Sequence, residues 1–303
     1  MVPKRYALGL AGYPLEHSLS PALHYAALRA AGLEGEYRCY PIPPLPSGEA
    51  QLRDLLEQVR RGELHGLNVT IPHKGSVLPW LDELTPVAAA IGAVNTIFMN
   101  GDRLVGDNTD AAGFLADLRR LGWLDRDGLP VESGAPVSER AHALVLGAGG
   151  AARAVAYALA RSGWTVAIAA RRPEQAALLA ADIEKALVGG KISRPVVYPL
   201  LPGSPAGSAE PPPCLIVNAT PVGMAPDPRA SPWPAGLPFP AGGCLYDLVY
   251  HPAETALVSR ARAAGLRAAN GLGMLVEQAA LAFEAWTGRT APIEAMRRAV
   301  ELI

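Results

Sequence analysis

The run Gly147-Ala148-Gly149-Gly150-Ala151-Ala152 constrains this chain more than any other feature, because it follows the apolar segment His142–Leu146 and opens an alanine-rich stretch. Glycines in such a strand-to-helix turn allow a tight bend and let the backbone approach a pyrophosphate, which then rests on the amides of the helix N-terminus. Ala152 stands in place of the third glycine, a permitted variant. Around the turn the sequence predicts strands at His142–Leu146, Thr165–Ala169, Val196–Leu200, Leu215–Asn218 and Cys244–Val249, with helices near 150–161 and 173–187. That alternation is Rossmann-like. An NAD-preferring site carries an acid roughly 20 residues beyond the turn to bind the ribose 2′-hydroxyl. Here Arg171 and Arg172 occupy that region, and their guanidinium forks suit a 2′-phosphate, so the expected cofactor is NADP.

With 303 residues the chain exceeds what one hydrophobic core usually organises, and two domains are expected. In the first 110 residues, β-type runs at Tyr6–Ala11, Glu36–Ile42 and Leu67–Thr70 alternate with helical stretches near 21–31 and 50–61, implying βαβ units and a mostly parallel sheet. Asn95–Met99 and Arg103–Val105, joined through Asn100-Gly101, read as a hairpin at the edge of that sheet. A helix from Asp110 to about Leu121 follows, and the polar stretch Asp125–Arg140 reads as an interdomain connection. Pro202–Pro213 and Ala225–Pro240, rich in Pro, Gly, Ser and Ala, are expected to be surface loops outside any core. From Met274 to Ile303 the pattern is helical without strands, and this segment is expected to return to the first domain.

A formal net charge of −1, from 27 basic and 28 acidic residues, leaves no broad positive field for nucleic acid or anionic lipid, which favours a small-molecule substrate. Cys39, Cys214 and Cys244 lack metal-ligand spacing, so neither a metal site nor a disulfide framework is expected, and a reducing cytoplasm is the natural compartment. Pro14, Glu16 and His17 interrupt the apolar N-terminal run before a signal segment forms, and arginines break up the alanine-rich stretches before any reaches a membrane span.

Several polar runs are candidates for the reacting site. In His17-Ser18-Leu19-Ser20-Pro21, Ser20 fits a helix N-cap with Pro21 at the first helical position, and Gly32 ends the helix. Two hydroxyls beside a helix N-terminus also suit a carboxylate, and capping and recognition are compatible. The stretch Gly66–Lys74 ends a buried-type strand in polar groups and breaks at Pro72, where ligands of open α/β sheets gather. Only four of the 27 basic residues are lysines, namely Lys4, Lys74, Lys185 and Lys191. Lys74 is thus a proton-releasing cation in a chain that otherwise prefers arginine. Ala93-Val94-Asn95-Thr96 and Gly106-Asp107-Asn108-Thr109-Asp110 are dense in hydroxyl-binding side chains; Asp107 suits a turn, and Asp110 suits a ligand site. His17, Tyr25 and His73 read as packing or rim residues.

Taken in order, the blocks GYPLEHSLSP, GLNVTIPHK, IGAVNT, GDNTD, GAGGAARAV, NATPVGM, YDLVY and GLGMLVEQAALAF run nearly the whole length of the chain, and in them it resembles the shikimate dehydrogenases. The resemblance implies an α/β fold of two domains: a substrate-binding catalytic domain of residues 1–110 rejoined by helices at 271–303, and a Rossmann-like NADP domain of residues 111–270. It implies NADPH-dependent, reversible reduction of 3-dehydroshikimate to shikimate, with Lys74 and Asp110 as the catalytic pair. Ser18 and Ser20 would bind the substrate carboxylate, Thr70, Asn95 and Gln278 its ring hydroxyls, and Tyr250 would help close the substrate pocket. Gly147, Gly149, Gly150, Ala151, Arg171 and Arg172 would hold the cofactor; Thr220 and Met224, in the block Asn218–Met224, would lie along its ribose and nicotinamide, with Gly271 and Met274 on the other side of that ring. Tyr25, Ala111 and the ending Ala170-Arg171-Arg172 depart from the usual pattern of the family. A quinate/shikimate dehydrogenase of broader specificity is the rival enzyme, and an NADP- or metabolite-sensing protein without turnover the rival outside catalysis. A monomer or a homodimer is expected.

Overall fold

The computed structural model describes residues 5–131, 141–187, 193–199 and 212–301. They divide into two compact units: residues up to Gly113 together with those from Leu275 onward, and Phe114–Met274.

The first unit holds strands β1 (Tyr6–Gly12), β2 (Gly35–Pro41), β3 (Gly66–Val69), β4 (Glu83–Leu84), β5 (Thr96–Asn100) and β6 (Arg103–Asp107) in the order β2-β1-β3-β5-β6-β4. β1 pairs in parallel with β2 and β3, whereas β5 runs antiparallel to both β3 and β6. The nearly continuous apolar run of β1 is buried along its length, as expected for a strand covered on both faces. The hairpin closes through Gly101-Asp102, with Asn100 paired to Arg103 and Gly101 at φ +62°. It is not the sheet edge expected from sequence, because β4, too short to read from its pattern, adds in parallel outside β6.

Helix α1 (Ser20–Ala30) ends as expected at Gly32, whose φ of +66° allows the Gly32 amide to reach the Arg29 carbonyl and that of Leu33 the Leu28 carbonyl. Its start differs by one residue from the sequence reading. Leu19 carries the first helical acceptor, bonded by the Leu23 amide, so Ser20 is the first helical residue and Pro21 the second. Helix α2 (Glu49–Arg60) buries the stripe Leu52, Leu55, Leu56 and Val59 against Val77, Val94, Ile97 and Leu104. A short α3 (Pro86–Ile91) is capped by the Thr85 hydroxyl, which accepts from the Ala88 amide. Helices α4 (Asp110–Arg120) and, later in the chain, α8 (Leu272–Thr287) each pass from one unit into the other, so the boundaries fall inside helices and not in Asp125–Arg140. Helix α9 (Ile293–Glu301) packs on α1.

The second unit contains β7 (His142–Leu146), α5 (Gly150–Arg161), β8 (Thr165–Ala170), α6 (Pro173–Ala186), β9 (Ser193–Pro199), β10 (Leu215–Asn218), β11 (Cys244–Asp247), α7 (Ala256–Ala263) and β12 (Arg267–Asn270). Its six strands are all parallel in the order β12-β11-β10-β7-β8-β9, the doubly wound arrangement whose switch point lies between β7 and β10. β12 and α7 escaped the sequence reading because Arg-Ala-Ala-Asn carries no β-branched residue and α7 is barely two turns long. Ala225–Pro240 is not merely a surface loop: Trp233 is 1% exposed, stacks on Phe239 and packs with Ile216, Leu245 and Leu257 in the core of this unit. Arg260 holds that loop through the carbonyls of Trp233 and Pro234. Of the other Pro-rich stretch, Pro202–Pro213, all but Pro212 and Pro213 lies outside the described residues.

Candidate active site

In the first unit the polar residues collect at one edge of the sheet for a topological reason. Loops leave the carboxyl ends of β1, β3 and β6 there, and the antiparallel β5 begins beside the end of β3. Lys74 follows β3, Asn95 precedes β5, and Asp110 opens α4 immediately after β6. The Lys74 ammonium donates to Oδ2 of Asp110, and the two side chains are only 12% and 6% exposed. Asp110 also lies in the first turn of α4, where the helix dipole favours a carboxylate. Asn108 fixes that turn by accepting from the amides of Asp110 (3.1 Å) and Ala111 (3.4 Å).

Asn95 organises the rest. Its Oδ1 accepts from the Thr109 backbone amide at 2.8 Å, which fixes the orientation of the amide group because a backbone N–H only donates. Nδ2 then donates to Asp110 Oδ1 at 2.8 Å and Thr109 Oγ1 at 2.9 Å, with Gln278 Oε1 at 3.3 Å. The Gln278 side chain is itself held by a 2.7 Å bond to the Leu275 carbonyl, and its backbone packs on Gly113, where any Cβ would lie 2.7 Å from the Gln278 backbone nitrogen. Asn68, Thr96 and Thr109, all buried, belong to the same constellation. Sequence reasoning quoted their motifs but did not single them out. Asp107 is structural, accepting from Thr85 Oγ1 and the Asn108 amide.

At the end of β1, Ser18 Oγ accepts from the Ser20 amide at 3.3 Å, so Ser18 supports the start of α1 while Ser20 is buried within it. Thr70 follows β3 directly, its amide bonded to the Ala11 carbonyl and its methyl pressed on Gly12. His73 is buried with Nε2 bonded to the Ile42 carbonyl at 2.8 Å, which ties the segment carrying Lys74 to the loop after β2; Tyr25 is 46% exposed.

In the second unit the remaining candidates line the carboxyl edge of the parallel sheet. Gly147 has φ +117° and a Cβ there would lie 2.9 Å from the Ala219 carbonyl, so the turn tolerates only glycine. At Gly149, by contrast, a Cβ would meet open space, and α5, opened by Gly150, Ala151 and Ala152, has neither a side-chain cap nor an acid in its first turn. Those amides, an open cradle and the lack of a competing carboxylate fit a pyrophosphate. Arg171 and Arg172, at the end of β8, are exposed, and neither guanidinium has a partner among the described residues. Two exposed guanidinium groups at this edge of the sheet fit a 2′-phosphate.

The loop after β10 is held from below. Asn218 Oδ1 accepts from the Thr220 amide (3.0 Å) and hydroxyl (2.7 Å), while its Nδ2 donates to Asp247 Oδ1 (2.8 Å). Burial pushes the Asp247 carboxyl above its ordinary value, partly offset by bonds from Thr255, Val249 and Asn218. Met224 closes the loop through its amide on the Pro221 carbonyl. Gly271 leaves no room for a side chain, since a Cβ would lie 2.3 Å from the Leu248 carbonyl. The Met274 amide donates to the Tyr246 hydroxyl, which donates in turn to Asp117 at 2.6 Å; burial, with Asp117, raises the tyrosine well above its usual range. Tyr250 is half-buried in the segment after β11.

A switch-point sheet with this glycine turn, in one chain with a buried lysine–carboxylate pair, marks an oxidoreductase that uses a nicotinamide nucleotide. The comparisons narrow the class: residues 10–97 match the model of the shikimate dehydrogenase substrate binding domain, and residues 271–301 that of the shikimate 5′-dehydrogenase C-terminal domain. A relative from Salinibacter ruber, shikimate dehydrogenase (NADP(+)), is 44% identical over 93% of this chain and 92% of its own length. The structure of shikimate 5-dehydrogenase from Thermus thermophilus in complex with NADP(H) and shikimate superposes with a TM-score of 0.79 at 40% identity, covering 98% of this chain and 99% of the other. Quinate dehydrogenase from Corynebacterium glutamicum in complex with NAD gives 0.82 at 30% identity, covering 99% and 100%. The chain belongs to the shikimate dehydrogenase family. Among its described residues no helix is long and apolar enough to cross a membrane.

Proposed function

We propose that this enzyme reversibly reduces 3-dehydroshikimate to shikimate with NADPH, and the observation that carries the reading is the buried Lys74–Asp110 pair in a chain of this family. NADPH, when bound, supplies the hydride. Lys74 holds the carbonyl oxygen of the substrate, stabilises the negative charge that develops there and delivers a proton to it from Nζ; in the reverse direction it removes that proton. Asp110 orients the ammonium and accepts from a neighbouring ring hydroxyl. Ser18 and Ser20 bind the substrate carboxylate, Thr70, Asn95 and Gln278 bind the ring hydroxyls, and Tyr250 closes the pocket. Gly147, Gly149, Gly150 and Ala151 cradle the pyrophosphate, Arg171 and Arg172 take the 2′-phosphate, and Thr220, Met224, Gly271 and Met274 frame the ribose and nicotinamide.

Arg171 and Arg172, exposed at the end of β8 with no partner among the described residues, favour NADP over NAD, and the similarity to shikimate dehydrogenases (NADP(+)) favours shikimate over the broader quinate-type reading. Following NADPH absorbance with shikimate, quinate, NADP and NAD as reactants tests both choices. Arg171→Ala should weaken NADP binding by about 1.5–3 kcal/mol and leave NAD nearly unaffected. Equal losses for both cofactors would remove the 2′-phosphate role. A reducing cytoplasm is the compartment we propose, and a monomer or homodimer the assembly, to be measured by light scattering.

A further inference from the structure

The hydrogen bonds around Asp110 run in one direction. On β3 and β5, Asn68 and Thr96 are directly paired residues, so their side chains meet on one face of the sheet. Asn68 Nδ2 bonds the Asn95 carbonyl at 3.0 Å, an acceptor only, which leaves its Oδ1 to accept from the Tyr37 hydroxyl at 2.8 Å. The same Nδ2 donates to Thr96 Oγ1 at 3.3 Å. Thr96 then sends its own proton to Asn95 Oδ1 at 3.0 Å, an oxygen already identified by the Thr109 amide and nearer than Thr109 Oγ1 at 3.4 Å. Asn95 donates to Asp110. From Tyr37 through Asn68, Thr96 and Asn95, each donor therefore points toward the carboxylate that holds Lys74. Tyr37, Asn68, Thr96 and Asn95 are all buried, and water does not compete with their bonds. Successive bonds aligned in this way polarise one another and favour negative charge at the end of the chain.

We propose that Tyr37, Asn68 and Thr96 are positioning residues for the reaction, a directional hydrogen-bond chain that acts through Asn95 to hold the Asp110 carboxylate aimed at Lys74. The inference rests on the function proposed above. Lys74 is the charged group that contacts the Asp110 carboxylate. From the other elements packed nearby come the uncharged Gln278 of α8, Asp107 of β6, whose carboxylate is taken up by Thr85 and Asn108, and His73, whose ring is bonded to Ile42. Glu277 of α8 is paired with Arg297. At the far end His24 stacks on Tyr37, with ring centroids 4.4 Å apart, and its burial holds it neutral down to about pH 3.

The test is kcat for shikimate oxidation by NADP, read beside the KM of each reactant and the melting temperature. In Thr96→Val the isosteric methyl removes the donor to Asn95, and kcat should fall about 3- to 10-fold with the KM for NADP unchanged. Thr96→Ser should restore it, and Tyr37→Phe should lower it by less. A scaffold role alone would lower melting temperature and leave kcat in place. An unchanged kcat in both Thr96→Val and Tyr37→Phe, or no recovery in Thr96→Ser, overturns the proposal; Tyr37→Phe decides alone if Thr96→Val does not fold. Failure of the wild-type enzyme to oxidise shikimate would instead overturn the underlying function.

Discussion

Lys74 and Asp110 were legible as single residues because each breaks a local habit: one lysine in an arginine-rich chain, one acid opening a helix after a run of small polar groups. Asn68 and Thr96 were not, since what joins them is register across two strands distant in sequence, which no local pattern carries. If Lys74 delivers the proton, Lys74→Ala should lower kcat by at least about 10²-fold. Lys74→Arg is the sharper variant. It keeps a cation beside Asp110 yet releases no proton near neutral pH, so it should also be severely impaired. Single-turnover kinetics with saturating shikimate and NADP, alongside circular dichroism to verify folding, decide; a rate near wild type in Lys74→Arg would leave the lysine a purely electrostatic role.

At the scale of elements, glycines that lack a left-handed φ still mark close packing. Gly66 begins β3 beneath Trp286 of α8, and a Cβ there would lie 2.4 Å from the indole ring. The ring is poorly placed to retreat, because its Nε1 donates to the Ile97 carbonyl at 3.2 Å and its face tilts against His24 at 5.1 Å. Gly66→Ala should therefore cost about 1–3 kcal/mol in overpacking. Urea unfolding of the variant measures this, and an unchanged midpoint would mean that Trp286 moves freely. Strands with strong apolar runs of Leu, Ile and Val, such as His142–Leu146 and Leu215–Asn218, were readable to the residue. The two-residue β4 and alanine-rich β12 form because neighbouring strands offer them a ladder, a tertiary effect with no local signature.

For the whole molecule, His24 couples stability to pH. Burial lowers it from 6.5 to about 3, against a smaller opposing effect of Asn68. As pH falls past 6.5 the unfolded chain takes up a proton on this side chain while the folded chain does not, so stability decreases through that window, by up to about 1.4 kcal/mol per pH unit. Urea unfolding at pH 7, 6 and 5 should show this slope, and His24→Phe should flatten it; equal slopes in both proteins would assign acid sensitivity elsewhere. The division of the chain has a consequence for biosynthesis. A ribosome releases Phe114–Met274 as one uninterrupted segment, but the first unit requires Trp286 against Gly66 and α9 against α1, from residues made after it. The nucleotide-binding half can thus mature while the half begun before it waits, its apolar helix faces open to chaperones until those later residues emerge. Nascent chains that end at Met274 and are stalled through an added linker long enough to clear the ribosomal tunnel should show protease protection in the second unit and none in the first.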